Sequence, residues 1–327
     1  MVSIDSDDLV SATELTRNTA ALVKLASEGR RLIIINKNAP TAALIGMEDL
    51  RRLDALQTNN GQGIGAVVAQ HHPSADDFQQ ALMACASSVD ETEATPRNLR
   101  IPLGINAFGD LAQLDMASSS AGGTGPHGAI IGMTGQGKTN MAKVITTALT
   151  ALYRPERVNV ILATDDLDSQ WQSIAEKPHV THVFDDLSGQ AEQLRGLLDQ
   201  EVDRRQHLRD SEDPESPSGQ HLPNLVVIID EAGRDPDLAQ YLINELGRSG
   251  GSLGIHLLLV FQRPPRSDLG SFGYRIILRQ RDLGDSRYMI GSSAAAMLSV
   301  GSAILSGGED PRDHTEFAAF LASPQGG

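Results

Sequence analysis

The sequence predicts an α/β fold, with a mostly parallel sheet covered by helices on both faces, preceded by a small α+β module. Three observations carry this. From about residue 98 onward, uninterrupted apolar runs alternate with helical stretches, the pattern of strands buried on both faces. One such run, "GAIIG", leads directly into Gly132-x-x-x-x-Gly137-Lys138-Thr139, and a helical pattern follows. Residues 1–57 carry a separate, shorter pattern, set apart by a loose, polar stretch over 58–97.

In the first segment, "SATE" at Ser11–Glu14 is a capping box, in which a Ser hydroxyl and a Glu carboxylate satisfy free backbone donors at a helix start. Leu15, Ala20, Leu22, Val23, Leu25 and Ala26 follow at near-helical spacing, and Gly29 ends the run. "RLIIINK" and "TAALIG" read as two strands joined by a turn at "NAP", and "MEDLRRLDAL" as a closing helix. The expected order is helix, hairpin, helix. From Gln57, "QTNNGQGIG" is flexible by composition. "SADDFQQALMACASSV" has room for one short helix inside the stretch read as a linker. His71 and His72 lack a metal-ligand pattern around them.

In the second segment the expected strands are "GAIIG", "VNVILAT", "HVTHVFDD", "NLVVIID", "GIHLLLVF" and "YRIILRQ". Helices are expected over Lys138–Tyr153, through "SGQAEQLRGLLDQEVDRRQHL", and over Asp237–Arg248.

The chain has 327 residues, which at roughly 150 per domain suggests two domains. It carries 27 Lys and Arg against 42 Asp and Glu, a net charge of −15. That balance counts against a protein that simply coats a polyanion, although a local basic lining on an acidic body remains compatible with DNA contact. Cys85 is the single cysteine, so no intramolecular disulfide forms and a reducing compartment is expected. No apolar run approaches the ~20 residues of a membrane span, and "MVSIDSDDLV" lacks a signal-peptide layout. The expectation is a cytoplasmic protein without direct membrane insertion.

The chemistry sits at the strand ends. In a P-loop the glycines let backbone N–H groups point at phosphate oxygens, and the helix N-terminus adds positive partial charge. The set expected to hold ATP is Gly132, Thr134, Gly135, Gly137, Lys138, Thr139 and Asn140. Lys138 would bridge the β- and γ-phosphates, and Thr139 with Asp230 would hold Mg²⁺. Glu231, next to Asp230 at the end of an apolar strand, is the candidate to activate the attacking water. Gln262 ends another apolar strand, where a neutral amide can contact the γ-phosphate.

Two family resemblances rest on these and neighbouring motifs. Ser11 to Leu53, "SATELTRNTAALVKLASEGRRLIIINKNAPTAALIGMEDLRRL", resembles the Phd/YefM antitoxins. That resemblance implies a dimer, operator-DNA binding near the first helix and a tail that wraps a toxin. Arg17, Lys24, Arg30 and Arg31 are the cations nearest the expected DNA side. The second covers about Ile101 to Leu321 and is to the FtsK/SpoIIIE family of P-loop motors. It rests on the ordered series "IPLGINAFGDLAQLDM", "GPHGAIIGMTGQGKT", "KPHVTHVFDD", "LRGLLDQEVDRRQHL", "NLVVIIDE", "ELGRSGGSLGIHLLLVFQRP", "YRIILRQRDLGDSRYMIG" and "GSAILSGG". The wording looks closer to the EccC-type ATPases of type VII secretion than to chromosome translocases. The family implies a RecA-like fold and a six-membered ring, with nucleotide between subunits and an arginine supplied by a neighbour. Arg195 is the candidate for that arginine and Arg287 the runner-up.

The chain also departs from this family. "DDLDSQ" stands where a basic residue usually follows the "VNVILAT" strand, and "AGRDPD" is polar where the family is often apolar. No membrane anchor, tandem ATPase copy or winged-helix tail is recognisable. The resulting division is 1–57 antitoxin-like, 58–97 linker and 98–327 ATPase. The leading function is a ring-forming, ATP-hydrolysing motor subunit that moves double-stranded DNA or a polypeptide. A homo-oligomer, a membrane complex or a toxin are the partners it implies. The alternatives are an ATP-controlled DNA-binding regulator and an antitoxin-type protein.

Overall fold

The structure is a computed structural model. It describes residues 9–27, 30, 32–36, 39–44, 73–87, 89, 99–106, 109–117, 122–211, 222–265, 269–307 and 314–322. The chain divides into two compact units, residues 1–70 and 71–327.

In the first unit, β1 (Leu9–Ser11) runs straight into α1 (Ala12–Ser27), followed by β2 (Leu32–Asn36) and β3 (Ala39–Leu44). Ser11 accepts a hydrogen bond from the Glu14 N–H through its Oγ at 3.1 Å, so the expected cap starts the helix. β2 pairs antiparallel with β3, as the hairpin pattern predicts, and parallel with β1. The short pattern around Leu9 gave no sign of β1. Leu22 and Ala26, one turn apart on α1, are buried. Leu22 packs with Val10, Leu32 and Ile34 into a small core, with Leu25 and Leu44 against it. The expected closing helix lies outside the described residues.

The second unit is built on a ten-stranded sheet. Its strands are β4 (Arg100–Asn106), β5 (Leu111–Asp115), β6 (Gly128–Ile131), β7 (Val158–Ala163), β8 (Val180–Phe184), β9 (Asn224–Ile229), β10 (Ile255–Phe261), β11 (Tyr274–Leu278), β12 (Ser302–Gly307) and β13 (His314–Ala319). The spatial order is β5-β4-β13-β12-β11-β6-β10-β9-β7-β8. From β11 to β8 every neighbour pair is parallel. From β11 to β5 every pair is antiparallel. The sheet is therefore mixed, with a parallel half and an antiparallel half, where apolar runs alone predict a mostly parallel one. Strand direction is fixed by connection length, and β12 and β13 are joined too closely for a crossover.

Six of the helices bound this sheet: α2 (Ala75–Ala86), α3 (Lys138–Leu152), α4 (Ser169–Ala175), α5 (Leu187–Ser211), α6 (Pro236–Tyr241) and α7 (Leu283–Ile290). α6 continues through a π-helical turn, Leu242–Leu246, into Gly247–Ser249. Strand residues alternate strictly between two cores. Ile130, Val226, Ile228, Leu258 and Val260 face one, with Val144, Ile145 and Leu149 of α3. Ala129, Ile131, Val227, Leu257 and Leu259 face the other, with Leu194 and Leu198 of α5 and Leu238 of α6. Both faces are covered, so these strands are apolar apart from Asn224 and His256, which bond to each other.

α2 falls within the stretch read as linker, yet it packs into the second unit. Ser74 and Asp77 form a reciprocal capping box, with Asp77 N to Ser74 Oγ at 3.2 Å and Ser74 N to Asp77 Oδ2 at 2.7 Å. Phe78, Ala81, Leu82 and Cys85 are buried at helical spacing, and the Phe78 ring lies 5.2 Å from that of Phe320. The expected short helix is present, but the loose composition on either side masked its packing into this unit. Phe78→Ala should cost about 3–5 kcal/mol of stability in the second unit, because a fully buried ring leaves a cavity. A denaturant titration that shows no loss would place α2 outside the folded unit.

Candidate ATPase site

The strand order gathers the site. β6 lies between β10 and β11, and β9 lies beyond β10. The registers set Ile131, Phe261 and Ile277 on one level, and pair Ile229 with Leu259. The loops leaving β6, β9 and β10 therefore open side by side at one edge.

The first of these is the loop Gly132–Gly137. Its start is still tied to its neighbours, with Gly132 N bonding Phe261 O and Met133 N bonding Arg279 O, both at 3.2 Å. Gly135 and Gly137 sit at φ 77° and 96°, a region open to glycine and strained for other residues. These two turns bend the chain into α3, whose first residues are Lys138 and Thr139. Lys138 is buried and donates to Met133 O at 3.1 Å. Burial lowers its pKa, and the charges of Asp230 and Glu231 offset part of that.

Asp230 directly follows β9 and is buried. Burial raises its pKa above the ordinary 3.8, against a hydrogen bond from Thr139 and the charge of Lys138. Its Oδ1 has no hydrogen-bond partner. A buried carboxylate oxygen left unpartnered beside a threonine hydroxyl and a lysine is the donor set a Mg²⁺–phosphate pair would complete. The residues present thus fit the cation.

Glu231 follows with φ 58°, the sole non-glycine positive φ among the described residues. An L-residue in that region costs roughly 1–2 kcal/mol, so other contacts must hold it there. Gln262 Nε2 donates to Glu231 Oε1 at 3.1 Å, and Arg234 Nε donates to Oε2 at 2.5 Å. Burial pushes the Glu231 carboxyl up, but the bonds from Arg234 and Gln262 and the charges of Arg234 and Lys138 together bring it below its ordinary value. Glu231 and Gln262 also line a cavity of about 640 Å³ with Phe261, Arg263 and Pro264.

The remaining candidates are placed as follows. Thr134 lines a neighbouring cavity with Met133, Gln262 and Arg281. Asn140 is turned to the chain's end, with Nδ2 donating to Phe320 O at 2.8 Å and Oδ1 accepting from Ala322 N at 3.0 Å. Arg195 is exposed on α5, its guanidinium 4.3 Å from the centre of the Tyr241 ring. Arg287 is exposed on α7. In the first unit Arg17 and Lys24 are exposed on α1, Arg30 is exposed just beyond it, and Arg31 lies outside the described residues. Sequence reasoning missed Gln280, which is buried and donates to Ile131 O at 3.1 Å and Leu278 O at 3.0 Å, bracing β6 against β11 under the loop. An amide at the end of an apolar run, as at Gln262, was the available signal. It also missed Arg234, whose sole mark was its polar setting.

Residues 83–216 match the model of the FtsK/SpoIIIE family. The match lies within the second unit. The chain is 30% identical to an ESX secretion system protein EccC of Thermomonospora curvata, over 69% of this chain and 19% of that protein. It is 29% identical to the ESX-4 secretion system protein EccC4 of Mycobacterium tuberculosis, over 61% of this chain and 18% of that one. The chain thus spans about a fifth of the length of these relatives. The cytoplasmic domain of the Thermomonospora curvata type VII secretion ATPase EccC superposes with a TM-score of 0.64 at 29% identity, over 74% of this chain and 31% of that one. The pCW3 conjugation coupling protein TcpA, in its monomer form with ATPγS, shares the fold, with a TM-score of 0.53 at 20% identity over 72% of this chain and 68% of that one. These relatives and the complete P-loop motif support a P-loop ATPase domain.

Asp230 yields a test of the electrostatics. A carboxyl raised on folding binds more protons in the folded chain than in the unfolded one. Stability therefore falls as pH rises from 3.8 through the raised value, and the full penalty is present above it. Asp230→Asn should raise the thermal midpoint of the nucleotide-free protein at pH 7, and the gain should vanish as the pH falls below the ordinary Asp range. A lower midpoint at pH 7 would mean that the carboxylate is compensated in the folded chain.

Proposed function

We propose that the chain is a motor subunit in which ATP hydrolysis moves a polymer, with the second units arranged as a ring and the first units pairing chains. The convergence of Lys138, Thr139, Asp230, Glu231 and Gln262 at adjoining strand ends carries the hydrolytic part. Lys138 holds the β- and γ-phosphates, Thr139 and Asp230 hold Mg²⁺, Glu231 orients and deprotonates the attacking water, and Gln262 links that carboxylate to the γ-phosphate. Bound Mg²⁺ supplies charge neutralisation on the phosphate oxygens. Arg195 reaches a neighbour's nucleotide. Its exposure on α5 supports that role. The cytoplasm is the proposed compartment, supported by the likeness to a cytoplasmic EccC domain. No described helix is long and apolar enough to cross a membrane.

Glu231→Gln should bind ATP with normal affinity and turn it over about 10²- to 10⁴-fold more slowly, the range lost with a general base. Lys138→Ala should lose binding itself. Wild-type turnover in Glu231→Gln would show that another group activates the water. The polymer is decided by measuring the ATPase rate with and without duplex DNA. Stimulation supports a DNA motor, and indifference to DNA supports a polypeptide.

A second reading, an ATP-controlled DNA-binding regulator, is favoured by the exposed cations on the first unit. The proposed Phd/YefM-type head, residues 1–57, would dimerise and grip an operator through Arg17, Lys24, Arg30 and Arg31. In an acidic protein such binding must come from few contacts, each contributing about −0.9 to the slope of log K against log salt. Charge reversal at Arg17 should weaken DNA binding and flatten that slope, while Lys138→Ala leaves both alone. DNA binding that requires ATP and ignores Arg17 would locate the DNA site in the ATPase unit.

A further inference from the structure

Arg234 touches both sides of the site's edge. Its Nε donates to Glu231 Oε2 at 2.5 Å, and its Nη1 pairs with Asp165 Oδ2 at 3.0 Å. The backbone brings these three together. β7 and β9 pair with Ala163 opposite Ile229, so Asp165 and Glu231, each two residues further on, leave the sheet on one level. The chain then folds into a single 3₁₀ turn, Ala232–Arg234, closed by Arg234 N to Glu231 O at 2.9 Å. That turn returns the guanidinium to the carboxylate it has just left. Asp165 is itself fixed, because its Oδ1 accepts from Leu187 N at 2.6 Å, at the start of α5.

We propose that Arg234 is a positioning residue for ATP hydrolysis, holding the Glu231 carboxylate in line with Gln262 by bridging it to Asp165. The proposal rests on the reading of Glu231 as the water-activating group. Gln262 holds one oxygen of Glu231 and Arg234 the other, so the plane of the carboxylate is set from two sides. A single amide would leave it free to turn about its own hydrogen bond. The planar guanidinium fork meets two carboxylates at once, which a lysine ammonium does with less directional control. The Arg234 side chain is 55% exposed, so the bridge adds little to stability. Its effect is on orientation, where small displacements of a reacting group are costly.

The experiment is steady-state ATP hydrolysis by the full-length chain, with ATPγS binding measured on the same proteins. Arg234→Ala should lower kcat about tenfold to a hundredfold, the scale of a misplaced catalytic group. ATPγS affinity should stay unchanged, since the P-loop is untouched. Arg234→Lys should recover part of the loss, and Asp165→Asn, which keeps the acceptor for Leu187, should fall between Arg234→Ala and wild type. On a Glu231→Gln background, Arg234→Ala should cause no further loss, because both act through one carboxylate. An unchanged or raised kcat in Arg234→Ala would overturn the proposal, a raised one marking Arg234 as a brake. So would a full additional loss on the Glu231→Gln background. Glu231→Gln with wild-type turnover would remove the hydrolytic reading and this proposal together. An inactive Glu231→Gln beside a fully active Arg234→Ala would remove this proposal alone.

Discussion

The position of β10 between β6 and β9 is the constraint on which the site depends. If β9 paired directly with β6, Asp230 and the P-loop would crowd a single strand spacing of about 4.8 Å, with no room for a phosphate chain and its cation. The inserted strand doubles that spacing and places Gln262 in the gap. Its cost is that β10 must be apolar on both faces, because it lies in the middle of a sheet covered on both sides. Every residue of β10 from Ile255 to Phe261 is buried, His256 included. His256 is held well below its ordinary pKa, at about 4, chiefly by burial, so it sits neutral in the sheet. The close fit extends into the loop, where a side chain at Gly132 would meet Leu278 Cβ at 2.8 Å.

Charge at the edge of the sheet is arranged unevenly. Glu231 is compensated from two directions, whereas Asp230 keeps an unpartnered oxygen in a buried setting. The site therefore leaves its unpartnered oxygen at Asp230, the proposed cation ligand, and is ordered at Glu231, the proposed water-activating group. Ligands that bind the folded state alone recover such a penalty through linkage. The left-handed backbone at Glu231 belongs to the same arrangement, since it aims the side chain across β10 toward Gln262 in place of continuing the strand direction.

Much of this was legible in the sequence for a physical reason. Strands buried on both faces leave contiguous apolar runs, and phosphate loops need glycine at fixed spacing, so β6, β7, β9, β10, β11 and Gly132–Thr139 were readable from residue types alone. The antiparallel half was less so: the family resemblance implies a hairpin at "IPLGINAFGDLAQLDM", seen as β4 and β5, while the directions of β12 and β13 were hidden because direction is a property of connections. α2 was expected as a short helix, but its neighbours' composition hid that Phe78, Leu82 and Cys85 pack into the second unit. Arg234 and Asp165 are a different case. They lie in "AGRDPD" and "DDLDSQ", the two segments whose wording departs from the family resemblance. Each looked like an isolated oddity, and only the pairing of β7 with β9 shows that the two departures meet in one ion pair. Asn140 shows the reverse limit. Its place after Lys138-Thr139 suggests phosphate, while its amide is engaged with Phe320 and Ala322.

The contact between Arg195 and Tyr241 bears on the proposed ring. An arginine meant for a neighbour's phosphates needs a resting place that it can leave at small cost. At an exposed site, a guanidinium over an aromatic face contributes about 0.5–1 kcal/mol. A charge-assisted hydrogen bond to an anionic group contributes about 1.5–3 kcal/mol, so the exchange favours the phosphate once a subunit boundary supplies it. The Tyr241 hydroxyl donates to Asp199, one turn along α5 from Arg195, which keeps the ring in place when the arginine departs. A salt bridge to a buried carboxylate would have held Arg195 too firmly for this exchange, because its removal would strand a charge away from water. The stacked arrangement holds the side chain near the helix surface and would save part of the entropy of ordering a long chain in the proposed ring.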